Sequence, residues 1–181
     1  MNCIRALLAF GVACLQFSAP LQAQQVSRDA GTWRTYEFKD GRFKAAFPGT
    51  PLVKKGKFPT DLGYVNSARH TAGDADATYD VRYNDYPTST TSKLTPAKML
   101  DAMRDGLVAE SKGDLAWDKP YSLGKFAGRD QEIVGGDGTR YRIRLLLVEN
   151  RLYQLTAMAR PPARADEDRF FRSFQLLGIQ P

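Results

Sequence analysis

Cysteine and histidine are almost absent from this chain, whose 181 residues include two cysteines and one histidine. Both cysteines, Cys3 and Cys14, lie within the first 23 residues. If that segment is removed, no thiol remains for a disulfide, a thiolate metal site or a cysteine nucleophile. One histidine, His70, is too few for a metal site built on imidazoles, and any serine–histidine mechanism would have to use it. These shortages exclude several enzyme classes and predict a protein without a metal, a cofactor or catalytic residues.

The N-terminal apolar run, Ala6–Phe17, is shorter than the ~20 residues that a membrane-spanning helix needs. It follows a positively charged start, Met1–Arg5, and ends before small residues. This order is typical of a secretory signal peptide. We predict that residues 1–23 are a signal peptide cleaved between Ala23 and Gln24. The protein would then be periplasmic or secreted and would not span a membrane after cleavage, the alternative being an uncleaved N-terminal anchor.

Cys14 raises a further alternative, because bacterial lipoproteins are cleaved just before a cysteine and are lipidated on it. Gly11 stands where that motif has a leucine-like residue. Cleavage there would also leave much of the apolar run on the protein. We therefore predict no lipid anchor at Cys14.

Short strands dominate residues 32–181, which we expect to form a single α+β domain behind a flexible lead-in at residues 24–31. Aromatic and β-branched residues recur at alternate positions, and Asp40-Gly41 has the composition of a tight hairpin turn between two such runs. The predicted strands are 33–38, 43–47, 52–58, 63–70, 77–86, 116–123, 126–134, 139–149 and 152–159. Strand 77–86 alternates aromatic with polar residues, which predicts a half-buried strand with a solvated polar side.

Two helices are expected. Thr95 is a suitable N-cap and Pro96 suits the first helical position, ahead of an apolar stripe that includes Leu100 and Leu107. Acidic residues beginning at Asp166 favour the start of a closing helix. Hairpin turns join most strands and few helices are available for crossovers, so the predicted fold class is α+β with a central, mostly antiparallel sheet.

Two groups of residues are candidates for a functional role. His70 lies at a predicted strand end. It is either a general base or, in the simpler interpretation, a histidine at the surface or at the edge of the sheet. Lys54, Lys55 and Lys57 form a small basic run on a predicted strand. Such lysines either protect an exposed sheet edge from aggregation or bind an anionic partner.

The order of several motifs resembles that of the Mog1/PsbP-like family, in particular its exported bacterial members of largely unknown function. The motifs are Phe43-Lys44-Ala45-Ala46-Phe47-Pro48-Gly49-Thr50-Pro51, the strand Tyr79 to Tyr86 before a Thr-Pro-capped helix, Phe126-Ala127-Gly128, Arg151-Leu152-Tyr153-Gln154-Leu155 and Ser173-Phe174. The resemblance implies an α/β/α sandwich with a central antiparallel sheet. It brings no catalytic motif, and the fold alone does not fix a function.

The function expected from the sequence is that of an exported, soluble, non-catalytic envelope protein that binds or stabilises a partner. The formal net charge of +6 favours weak attraction to anionic surfaces, the simpler interpretation being a solvated basic surface that keeps the protein soluble. The expected partner is an envelope protein or an anionic surface, and the predicted export makes nucleic acid an unsuitable partner. Two alternatives remain open. One is a hydrolase or other enzyme with a cleft near His70, and the other is a carrier of a small ligand or lipid with an apolar cavity.

Overall fold

The computed structural model describes residues 32–60, 63–74, 76–91 and 94–179. The predicted signal peptide with its cleavage site between Ala23 and Gln24, the lead-in and Cys14 lie outside the described residues. The strands are β1 (Trp33–Phe38), β2 (Phe43–Pro48), β3 (Leu52–Thr60), β4 (Gly63–Gly73), β5 (Ala77–Asp85), β6 (Asp114–Leu123), β7 (Phe126–Val134), β8 (Arg140–Val148), β9 (Arg151–Ala159) and β10 (Gln175–Leu176). The helices are α1 (Thr88–Thr91), α2 (Pro96–Ser111) and α3 (Glu167–Ser173).

The strands form two antiparallel sheets. A seven-stranded sheet has the order β3-β4-β5-β9-β8-β7-β6, and a three-stranded sheet has the order β1-β2-β10. Every strand pair in the described part of the chain is antiparallel. This arrangement confirms the predicted α+β class and its antiparallel sheet. The short elements α1 and β10 were not predicted, because segments of four and two residues carry too little periodicity to be recognised.

The two faces of the seven-stranded sheet are covered by different layers. One face, which we call the aromatic face, packs against the three-stranded sheet and α3. Its buried rings are those of Phe43, Phe47, Tyr79, Tyr83, Phe126, Tyr153, Phe170, Phe171 and Phe174. The other face, which we call the helix-side face, packs against α2. Its buried apolar residues include Met99, Leu100, Met103 and Leu107 of the helix and Val65, Ile133, Ile143, Leu145, Leu147 and Leu152 of the sheet.

Helix α2 begins where its sequence predicts. The Thr95 side chain accepts a hydrogen bond from the backbone N–H of Lys98 at 3.3 Å, and Pro96 occupies the first turn. At the other end Lys112 adopts the left-handed conformation, with φ of 49°. This conformation ends the helix one residue before Gly113. Among the described residues no helix is long and apolar enough to cross a membrane.

Polar contacts fix the turn between β1 and β2 to the middle of the large sheet. The hydroxyl of Tyr153 donates to the carbonyl oxygen of Gly41 at 2.7 Å, and Arg151 donates to the carbonyl oxygen of Asp40 at 3.0 Å. A Cβ at Gly41 would lie 2.6 Å from the ring of Phe43. Glycine is therefore needed at this position for close packing, and the hairpin is held to β9.

Strand β5 differs from the prediction, because both of its sides are buried. The side expected to be solvated carries Asp80, Arg82 and Asn84, whose exposed fractions are 3%, 6% and 1%. The physical reason is the position of β5 in the interior of the seven-stranded sheet, with covering layers on both faces. Alternation along one strand does not reveal that position.

Candidate functional site

Strand β3 is the outermost strand of the large sheet, and within the part of the chain that the structure describes it pairs with β4 alone. Residues 52–57 are all exposed, although alternate side chains of this segment point to opposite faces. The layers that cover the middle of the sheet therefore leave this edge uncovered. The sequence run Lys54, Lys55 and Lys57 lies on this edge strand.

The three lysines are divided between the two faces. Lys54 stands opposite Arg69 in the register with β4, on the helix-side face, whereas Lys55 and Lys57 point to the aromatic side. Lys57 lies over the ring of Tyr64, with 4.7 Å between its Nζ and the ring centroid. The basic run is therefore a charged edge with positive groups on both of its sides.

Of the three lysines, Lys55 forms an ion pair with another described residue. Lys55 Nζ donates to Asp40 Oδ2 at 2.8 Å. This hydrogen bond raises the pKa of Lys55 and lowers the pKa of Asp40. Both groups are fully exposed, so water and salt screen the pair and either partner can be exchanged for an external charge. Lys54 has no ion-pair partner in the described part of the chain.

Apolar side chains accompany the charges at this edge. Leu52 and Val53 on β3 and Tyr64 on β4 are exposed by 50%, 41% and 61%. Leu52 and Val53 stand opposite Thr71 and His70 at one end of β3, and Tyr64 stands opposite Pro59 at the other end. The edge therefore combines positive charge with apolar area that no part of the described chain covers.

His70 does not lie at a surface or at a strand end, contrary to the simpler interpretation of its sequence position. It is 3% exposed on β4, and its ring lies 4.3 Å from that of Phe38 and 5.1 Å from that of Phe43. Its Nδ1 lies 3.2 Å from the carbonyl oxygen of Val81, which can only accept a hydrogen bond. Burial lowers the pKa of His70, although the bond to Val81 opposes the shift. The imidazole is thus a neutral member of the aromatic core.

A buried polar group on the helix-side face has no counterpart in the sequence predictions. The Asp80 carboxylate accepts hydrogen bonds from Arg69 Nε and, at 2.8 Å, from Thr71 Oγ1. Above it, burial raises the pKa of Glu110 on α2 to about 7, against the opposing charges of Arg82 and Arg69. This group could have been predicted if the interior position of β5 had been known. Polar residues that alternate along an interior strand are buried, and buried charges require partners.

Comparison with known proteins shows the fold. No family model matches the chain, and no curated protein matches it by sequence. The solution structure of cyanobacterial PsbP (CyanoP) from Synechocystis sp. PCC 6803 is similar to it, with a TM-score of 0.54 and 13% identity over 87% of this chain and 99% of that one. A protein of unknown function from Pseudomonas aeruginosa, PA94, matches with a TM-score of 0.31 and 12% identity over 72% of this chain and 85% of that one, which is too low to carry an argument. The chain has a PsbP-like fold, as its motifs predict.

Proposed function

We propose that the chain is an exported, non-catalytic binding protein of the bacterial cell envelope, which holds an anionic partner at the basic edge of its sheet. The observation that carries this proposal is the exposure of β3 with Lys54, Lys55 and Lys57 on its two sides. The strand adds exposed apolar side chains to that charge. Charge attracts and orients a partner, whereas apolar contact supplies affinity.

The position of His70 supports a role without catalysis. A general base must lie within hydrogen-bond reach of its substrate, and this imidazole is enclosed by aromatic rings. The buried histidine therefore gives no support to an enzyme with a cleft beside it. The carrier alternative requires an apolar cavity, and no observation on the described residues supports it. The likeness to CyanoP supports the fold and adds no activity, because one fold hosts many functions.

Export rests on the order of charged, apolar and small residues at the N-terminus. Mass spectrometry of the protein recovered from cells tests it directly. A mature chain that begins at Gln24 supports the proposed export, whereas an intact Met1 in the cytosol or a lipidated Cys14 contradicts it.

Partner binding is tested by affinity capture from envelope extracts with the chain from Gln24 onwards. The informative variant is the double substitution Lys54→Glu and Lys57→Glu, which reverses the charge of the edge. The matched control is Lys98→Glu with Lys125→Glu, which changes the net charge equally at exposed positions away from β3. We expect the edge variant to lose a captured partner that the control retains, and capture to fall steeply with added salt. Equal capture by both variants would contradict the proposed surface.

A further inference from the structure

We infer that β3 binds its partner by strand addition, an inference that rests on the proposed function. An acidic, extended segment of another protein pairs with the free edge of β3 and lengthens the seven-stranded sheet. An outer strand presents a row of backbone N–H and C=O groups without strand partners, which is the template that strand addition uses. Backbone hydrogen bonds then supply affinity, and side chains on alternate positions supply specificity.

The length and exposure of β3 suit this role. The strand has nine residues, and Leu52–Lys57 are exposed in succession before the single proline, Pro59. The β3–β4 register runs without a shift from Leu52↔Thr71 to Thr60↔Gly63. A regular strand of this length gives an incoming segment a continuous ladder, because no bulge turns the edge away.

Charge selects the occupant. A strand added beside β3 places its side chains next to Lys54 on one face and next to Lys55 and Lys57 on the other. Acidic residues on both faces of the incoming segment therefore meet positive partners, and apolar residues near one end meet Leu52 and Val53. The exposed Asp40 that holds Lys55 gives way to the incoming carboxylates at little cost, because an exposed ion pair is weak.

A second copy of the chain does not fit this edge. Antiparallel self-pairing centred on any residue from Lys54 to Lys57 puts a lysine directly opposite a lysine. Like charges in directly opposite positions destabilise a strand pair. The chain's own residues 24–31 do not fit either, because their single acidic residue, Asp29, is balanced by Arg28. Charge complementarity therefore favours an acidic segment from a different protein.

The opposite edge of the sheet shows what a protected edge looks like. Strand β6 carries a register shift between Leu115 and Trp117 and a proline, Pro120, within its span. A bulge and a residue without an N–H both interrupt the ladder that an added strand would need. The two edges of the same sheet thus differ: the interruptions of β6 fall within its span, whereas β3 has neither a bulge nor a proline from Leu52 to Phe58.

The experiment uses a defined peptide and the chain from Gln24 onwards. The peptide Val-Glu-Thr-Glu-Glu-Val-Val, with blocked ends, places its glutamates opposite Lys57, Lys55 and Lys54 when it is laid antiparallel to Leu52–Phe58. Two further versions of the peptide carry N-methyl groups. One is methylated on the odd-numbered backbone nitrogens and the other on the even-numbered ones. Each version keeps the charge of the peptide and loses one of its two rows of N–H donors. Binding is measured by fluorescence anisotropy, and the exchange of the β3 amides is followed by NMR.

We expect the unmodified peptide to bind, one N-methylated version to bind about tenfold or more weakly, and the other to bind nearly as well, because alternate amides of a strand face the partner. Alternate amides of β3 should also become protected from exchange. The double variant Lys54→Gln and Lys57→Gln should weaken binding and flatten its salt dependence, whereas Lys98→Gln with Lys125→Gln should change neither.

Four outcomes overturn the inference. Equal binding of both N-methylated versions, or unchanged exchange of the β3 amides, shows that charge alone holds the peptide. Absence of any peptide binding refutes strand addition, while the charge-dependent capture described above would still support the proposed function. Dimerisation of the free protein that protects the same β3 amides would show that a second copy occupies the edge.

Discussion

The two faces of the seven-stranded sheet are built from different chemistry. The aromatic face joins rings from β1, β2, β5, β9 and α3 in one cluster, and the neutral imidazole of His70 lies within it. The helix-side face combines an aliphatic contact with α2 and a buried group of charges around Asp80 and Glu110. Packing of large rings stabilises the first face, together with the ion pair of Arg151 with Asp85, whereas the second adds to its aliphatic packing the Asp80 carboxylate and Glu110, whose pKa burial raises. The two faces should therefore respond differently to truncation and to pH.

The largest expected effect is on the aromatic face. Phe43 is fully buried, and its ring lies within 5.7 Å of those of Phe38, His70 and Phe174. Phe43→Ala should lower the free energy of unfolding by about 3–5 kcal/mol, because it removes apolar area and leaves a cavity. Urea denaturation followed by circular dichroism measures this change.

Met103→Ala on the helix-side face is the matched truncation, with an expected cost of about 2 kcal/mol. Met103 is 7% exposed and belongs to the aliphatic cluster. A larger loss at Met103 than at Phe43 would break the proposed difference in packing between the faces.

A smaller effect is expected from the charges of the helix-side face. Asp80→Ala removes the carboxylate that accepts hydrogen bonds from Arg69 and Thr71, and should cost about 1–3 kcal/mol. The cost stays below that of breaking a fully buried ion pair, because the Arg69 side chain is 41% exposed and can regain water.

The control for Asp80 is Asp40→Ala, which removes the same chemical group from the exposed pair with Lys55. An exposed substitution of this kind should leave the free energy of unfolding nearly unchanged. Similar losses in both variants would show that burial does not distinguish the two carboxylates.

The two faces should also have opposite responses to pH. Glu110 has its pKa raised by burial to about 7 from the usual 4.5, so the folded chain holds a proton that the unfolded chain has lost. Its contribution is present below pH 4.5 and is lost as the pH rises to about 7. Allowing for solvent screening at this half-buried group, the loss should be about 1–2 kcal/mol. Glu110→Gln should remove it, and urea denaturation between pH 4.5 and 7.5 tests this. A variant with the same pH profile as the unmodified chain would contradict the prediction.

The contribution of His70 to stability should change with pH in the opposite direction. Burial lowers the pKa of its imidazole below the usual 6.5, so the unfolded chain binds a proton more readily than the folded one. The stability that comes from the neutral ring is complete above pH 6.5 and is lost as the pH falls below it. The chain has one histidine, so a single imidazole resonance reports the titration by NMR. A midpoint at or above 6.5 would exclude this account of the aromatic face.

The sequence allowed local structure to be predicted better than the surroundings of individual side chains. Alternation and turn residues located nine strands of the described structure, and Thr95 with Pro96 located the start of α2. Burial of Asp80 and His70 depends on which strands become interior, and that follows from pairings between distant segments such as β5 with β9. The same long-range pairing leaves β3 at the outside. The lysine run therefore suggested an edge, and the alternation of a strand divides Lys54 from Lys55, but the sequence could not show which covering layer lies on the side of each lysine.

The smallest effect on stability is expected at the edge, where binding rather than folding is concerned. Lys54 and Lys57 are exposed, and Lys54 has no ion-pair partner among the described residues, so Lys54→Gln with Lys57→Gln should change the free energy of unfolding by about 0.5 kcal/mol or less. Differential scanning calorimetry should give nearly the same melting temperature for this variant and for Lys98→Gln with Lys125→Gln. A marked loss of stability would mean that the lysines support the fold and that β3 is not free for a partner. Unchanged stability together with lost binding would instead show that the two regions have different roles. The faces of the sheet would then stabilise the fold, and the β3 edge would bind the partner.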